Sequence, residues 1–192
     1  MILTPLPATG FASKPWKNGL GTTHDIFLLP KGADHDNFDL RCALSPIDQK
    51  NLFSAFPEVE RVITLVDGAG LELQFQTHLV RLSRYQSYRF DSGLAPEGQP
   101  VGGPATVINV MARKGIWDIQ SCTVMSECDH NIGANELGLV FGLDDLVIGS
   151  GQTNLDLPAR DALLVSGAGS VQIRPKKYSG RFLYAHLVAA NA

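Results

Sequence analysis

Lys17, Asn18, Arg41, Arg61, Asn109 and Arg113 are the residues on which chemistry can be built. Each carries hydrogen-bond donors suited to an anion, and Trp16, Phe53 and Phe56 are interleaved with them. An apolar wall with a few fixed donors is what a pocket for a small carboxylate needs, and arginine can grip that group with two parallel hydrogen bonds. Thr23, Ser54 and Met111 lie in the same short stretches and complete the candidate ligand-binding set. Trp16, Phe53, Phe56 and Met111 also suit an ordinary core, and some of the arginines are expected to serve buried structural pairs.

Other chemistries are less well served. No two histidines stand one residue apart as in a His-x-His metal motif: His24, His35, His78, His130 and His186 are all isolated in sequence. Cys122, Cys128 and His130 lack the tight Cys-x-x-Cys spacing of structural zinc, so buried thiols are expected and neither a metal nor a cofactor is assigned. Ser45 and Ser54 have no Gly-x-Ser-x-Gly elbow, and Gly19-Leu20-Gly21 lacks the spacing of a phosphate loop. Metal-free proton transfer by Lys17, Asp25 or Glu60 stays open, although carboxylates beside a basic strand are usually ion-paired or solvated.

The elements that must hold these residues read as β-strands. Arg61 to Val66 is β-branched, Phe38 to Leu44 alternates, and Thr106 to Ala112 places Asn109 and Met111 on one face. Arg41 lies off the Leu40, Cys42 and Leu44 face, which makes it either a solvated arginine or an anion clamp inside a barrel. Pro57 fixes its own φ and drives Phe56 extended, so Phe53 to Arg61 is a shaped corner before a strand. Asp67 to Gly70 is a hairpin signal, residues 91 to 105 read as loop, and Met125 to Glu136 as a loop or short helical turn. Further strands follow, from Trp117 to Val124 through Arg181 to Val188.

The apolar positions of the two halves overlay with a shift of about 75 residues, leaving an N-terminal arm without a counterpart. Two similar β-barrels or sandwiches are inferred. The 192 residues, 44% of them hydrophobic and 18% charged, can bury a substantial core. A net charge of -3 without a basic run gives no footprint for nucleic acid. No apolar stretch approaches the roughly 18 to 20 residues of a membrane span, and no signal-peptide pattern opens the chain. A cytoplasmic protein is expected.

These motifs, in order, resemble the HutD/Ves family. Trp16-Lys17-Asn18-Gly19 with Gly21 and Thr23 is similar to its Trp-Lys-Asn-Gly-Gly-Gly-x-Thr, and Phe53-Ser54-Ala55-Phe56-Pro57 with Arg61 to its Phe-Ser-x-Phe-Pro-Gly-x-Asp-Arg. Asn109-Val110-Met111-Ala112-Arg113 resembles its Asp-x-Asn-x-Met-x-Arg, and Arg41 falls where the family has a strand arginine. Leu20, Glu58, Glu60 and Val107 depart from the pattern. The resemblance implies an all-β bicupin: two fused RmlC-like cupin (jelly-roll) barrels, over residues 1–112 with an arm at 1–37, and over 113–192. The donor set without a catalytic motif leads to the expectation of a metal-independent protein that binds or senses a small anion, and the resemblance implies an amino-acid derivative of histidine utilisation, such as formylglutamate; a homodimer is the candidate assembly. A metal-free isomerase, epimerase or lyase and a protein-interaction role are the alternatives.

Overall fold

The computed structural model describes residues 1–16 and 21–190. Its strands, in chain order, are β1 (Ile2–Leu6), β2 (Ala12–Pro15), β3 (Thr22–Leu29), β4 (Leu40–Ile47), β5 (Asn51–Leu52) and β6 (Val59–Asp67). There follow β7 (Gly70–Gln74), β8 (Leu79–Ser83), β9 (Ser87–Asp91), β10 (Glu97–Val101), β11 (Ala105–Arg113), β12 (Trp117–Met125) and β13 (Cys128–Ile132). The chain ends with β14 (Glu136–Gly142), β15 (Leu146–Ser150), β16 (Thr153–Leu157), β17 (Ala162–Ser166), β18 (Gly169–Pro175) and β19 (Phe182–Ala189). The protein is all-β, as its many turn residues and period-two runs predict. No helix among the described residues is long and apolar enough to cross a membrane.

Two compact units divide the chain. Phe11–Trp117 forms one from a six-stranded sheet, β2-β3-β4-β11-β6-β9, and a four-stranded sheet, β5-β10-β7-β8. Ile47, Ile63, Leu65 and Val107 of the first sheet meet Leu71, Leu73 and Leu82 of the second in a common core. The other unit joins Met1–Gly10 to Asp118–Ala192 through a five-stranded sheet, β1-β17-β14-β19-β12, and a four-stranded sheet, β13-β18-β15-β16. Its core is likewise drawn from both sheets, with Val140, Leu163 and Phe182 against Leu146, Ile148 and Ile173.

Several elements differ from the sequence reading. Residues 1–10 were expected in an arm of the first barrel; β1 instead pairs antiparallel with β17, Ile2 opposite Ser166, at a sheet edge where Pro5 is tolerated. The 91–105 stretch is not all loop, since β10 inserts between β5 and β7. Its Gly98 hides the strand signal yet is needed, because a Cβ there would lie 2.5 Å from the Phe53 ring. Asp67 to Gly70 is no hairpin turn: β6 pairs with β11 and β9, β7 with β10 and β8, so the turn carries the chain from one sheet to the other. Within Met125 to Glu136, β13 alternates buried Cys128 and Ile132 with exposed Asp129 and Asn131.

The corner before β6 turns on Pro57 and Glu58, and Glu58 adopts φ 59°. The Lys114 amide donates to the Glu58 carbonyl at 2.9 Å and ties the turn to the end of β11. A side chain in this left-handed region costs roughly 1–2 kcal/mol, whereas glycine carries only its entropic cost of about 0.5–1 kcal/mol. Glu58→Gly is therefore expected to raise the thermal midpoint by about 1–3 °C and Glu58→Val to lower it. A lower midpoint for Glu58→Gly in calorimetric melts would contradict the strained turn.

Candidate functional site

The register of the six-stranded sheet assembles the site. Met111 of β11 stands opposite Arg41 on β4 and opposite Arg61 on β6, and Arg61 in turn stands opposite Phe90 on β9. One step along, Asn109 lies opposite Ala43 and Ile63. Side chains alternate along each strand, so Arg41, Ala43, Ser45 and Ile47 share one face of β4, and Asn109 and Met111 share one face of β11. These faces line a cavity of about 350 Å³, and Phe53 and Phe56 from the corner before β6 close part of its wall.

The two central arginines are buried in different ways. Arg41, 5% exposed, donates from Nε to Asp25 Oδ1 at 2.8 Å, and Asp25 is itself buried. His35 Nε2 sits 2.9 Å from Asp25 Oδ2 and 3.0 Å from an Arg41 terminal nitrogen, so the Arg41 charge is matched inside the wall. Arg61, 3% exposed, pairs with no carboxylate among the described residues. Its guanidinium carbon lies 5.5 Å from the Phe53 ring, 5.5 Å from Phe56 and 5.6 Å from Phe90. One terminal nitrogen donates to the Ser54 carbonyl at 3.0 Å, while Nε is buried with no partner among the described residues. Burial, and then the positive field of Arg41, push the Arg61 pKa down to about 9. At neutral pH the cavity wall thus carries a cation held by three aromatic faces and the Ser54 carbonyl, with no carboxylate beside it among the described residues.

Asn109, 4% exposed, completes the polar floor, and its Oδ1 is also buried without a partner among the described residues. At the other end Trp16 Nε1 donates to Thr23 Oγ1 at 2.8 Å, and Thr23 Oγ1 lies 3.1 Å from Ser45 Oγ. The cavity thus offers donors at Arg61, an acceptor at Asn109 and hydroxyls at Thr23 and Ser45.

Most of the candidate residues converge here. Trp16, Thr23, Arg41, Phe53, Ser54 and Phe56 line the cavity, as do Arg61, Asn109 and Met111. Arg113 is absent from the lining: its Nε and one terminal nitrogen donate to the Phe38 carbonyl at 3.1 and 2.9 Å, with Asp39 Oδ1 3.4 Å away. Lys17 and Asn18 lie outside the described residues. His35, Ser45 and Asn51 belong to the lining although the candidate set omitted them. Ser45 was legible as the alternate of Arg41 and Ala43. His35 comes from the connection between β3 and β4, where no period exists to place it.

The chain is similar in sequence and in fold to known proteins. A sequence model of the HutD family matches residues 8–181. Protein Ves of Citrobacter koseri is 31% identical over 101 residues, 52% of this chain and 52% of that protein. An uncharacterized 21.2 kDa protein of Pseudomonas putida, described as in the hutC 3′ region, is 35% identical over 68 residues, 35% of each chain. The chain thus spans about half the length of the first of these relatives and about a third of the second. HutD from Pseudomonas fluorescens SBW25 has the same fold, with a TM-score of 0.82 at 22% identity, covering 98% of this chain and 99% of that one. The solved neighbours have a cupin-like fold.

The two arginines are expected to respond oppositely to neutralising changes. Asp25→Asn strips the buried Arg41 of its counter-charge and is expected to cost about 3–5 kcal/mol in urea unfolding. Arg61→Met removes a cation with no carboxylate to abandon among the described residues, and is expected to leave stability within about 1 kcal/mol of the parent or above it. Equal losses for both variants would mean that Arg61 is a structural residue like Arg41.

Proposed function

The chain belongs to the HutD family, and from that premise we propose that the 11–117 unit is a cupin-type jelly roll that binds a small anionic carboxylate without a metal. A second jelly roll formed by the remaining residues, fused to the first, completes the bicupin in this reading. One observation carries the binding proposal: Arg61 is a buried guanidinium at the cavity wall, with Nε unpartnered and no carboxylate beside it among the described residues.

An incoming carboxylate supplies the missing counter-charge. Charge-assisted hydrogen bonds are the strong ones, and one at Arg61 Nε would relieve the cost of holding the cation out of water. The rings of Phe53, Phe56 and Phe90 hold the guanidinium plane in place before the ligand arrives, so little side-chain entropy remains to be lost. Asn109 Oδ1 then selects for a ligand that carries an N–H or O–H donor near its carboxylate. A volume of about 350 Å³ lies at the small end of ligand pockets and favours a metabolite over a peptide. An N-acylated amino acid of the formylglutamate type meets these demands, and the Pseudomonas putida relative described as in the hutC 3′ region makes histidine utilisation the pathway to test.

Calorimetric titration with formate, acetate, glutamate and formylglutamate tests the reading. Binding is expected to favour the ligand carrying both the carboxylate and the N–H. Arg61→Met is expected to weaken it about 10- to 100-fold, the worth of one charge-assisted hydrogen bond, while Arg113→Ala leaves it within about twofold. Absence of heat with every carboxylate, or equal affinity in parent and Arg61→Met, would sink it.

A further inference from the structure

A separate cluster lies inside the unit formed by residues 1–10 and 118–192. Three strands contribute to it from the two facing sheets: β13 from one, β14 and β19 from the other. On β13, His130 falls between buried Cys128 and Ile132, on the face that joins the core. On β19, His186 continues the face of Phe182 and Tyr184, and on β14, Glu136 continues the face of Gly138 and Val140. His186 stands directly opposite Gly138, so Glu136 is its diagonal neighbour. A Cβ at position 138 would come within 3.2 Å of both Ile132 Cδ1 and Tyr184 Oη, so the glycine keeps room for the ring beside it.

We propose that His130, Glu136 and His186 form a binding site for a divalent first-row transition-metal ion. One ligand atom from each residue lies within 4.8 Å of the others. Glu136 Oε2 is 2.9 Å from His186 Nε2, and the rings of His130 and His186 are 4.4 Å apart at 65°. Zinc-type bonds of about 2.0–2.2 Å place neighbouring ligand atoms roughly 3.3 Å apart, which rotation of these side chains can reach.

The orphaned atoms point the same way. His130 Nε2 and Tyr184 Oη are buried with no partner among the described residues, although their rings lie 5.4 Å apart. An unpaired imidazole nitrogen in an interior is costly, and a cation is what its lone pair would stabilise. Glu136 is already fixed from behind, since the Gly133 amide donates to its Oε2 at 2.9 Å, the kind of support that orients a metal ligand. Two imidazoles and one carboxylate suit a borderline transition ion rather than calcium or magnesium, whose sites are built from oxygen. Three protein ligands leave coordination positions open for water or an oxygen-bearing ligand, and His130 and Tyr184 also line a cavity of about 430 Å³. No paired-histidine motif marks this site in the sequence: His130 and Glu136 sit on the successive strands β13 and β14, and His186 joins them from β19 at the end of the chain.

Cobalt(II) titration of the chelator-treated full chain, followed by visible absorption and calorimetry with zinc(II) as competitor, tests the proposal. Saturable one-to-one binding with visible d–d bands is expected, displaced by zinc(II). His130→Ala, His186→Ala and the near-isosteric Glu136→Gln are each expected to weaken it at least about tenfold, the range in which even supporting residues act. Circular dichroism identifies any variant that fails to fold, and Glu136→Gln, which removes a charge at nearly constant shape, is the decisive one. Arg61→Met is expected to bind cobalt as the parent does, which separates this site from the carboxylate site. No saturable binding by the parent, or unchanged affinity in a folded Glu136→Gln, would overturn it.

Discussion

The constraint on which the 11–117 unit depends is the removal of the Arg61 guanidinium from water without a carboxylate to receive it among the described residues. Desolvating such a group costs several kcal/mol, and a desolvated cation–π contact returns about 2 kcal/mol or more. Three rings surround the cation, supplied by the corner before β6 and by β9. Arg41, two strands away in the same sheet, meets the same difficulty with Asp25 at 2.8 Å. The contrast between these two arginines separates a paired charge from one without a carboxylate partner among the described residues, although their burial is nearly equal.

How the fold serves this arrangement follows from strand register. Met111 is opposite Arg41 on one side and Arg61 on the other, so a thioether divides the two cations and the β11 backbone sets their spacing. The Phe53 to Arg61 corner brings the aromatic wall to the same place, and Glu58 holds its turn in a conformation that glycine prefers. The corner is at once the start of β6 and the side of the cavity.

Much of this was legible in the sequence, for definite reasons. The central strands β4, β6 and β11 are period-two or β-branched runs, and that pattern puts Asn109 and Met111 on one face; that Arg41 and Arg61 join them follows only from the strand register. Strands β1, β10 and β13 escaped because proline, glycine or polar residues interrupt them, and each is recognisable only once its pairing partner is known. The sequence leaves the placement of Arg113 open for a related reason. A donor at the end of a strand reads the same whether it faces a cavity or caps a neighbouring carbonyl, and here it holds Phe38. His35 lies in an unpatterned connection, and the His130, Glu136 and His186 group is brought together by strands of two sheets, so local spacing carries no trace of either.

The two units present opposite chemistry on their inner faces: N–H donors for an anion in one, imidazole lone pairs and a carboxylate for a cation in the other. The central claim is that Arg61 waits for an anion, and its own Nε–H reports most directly. In nitrogen-edited proton NMR of the selectively labelled protein, adding formylglutamate is expected to move the Arg61 Nε–H resonance downfield and slow its exchange with water, while the Arg41 resonance stays in place. An Arg61 signal that does not respond while the ligand binds elsewhere would contradict the account.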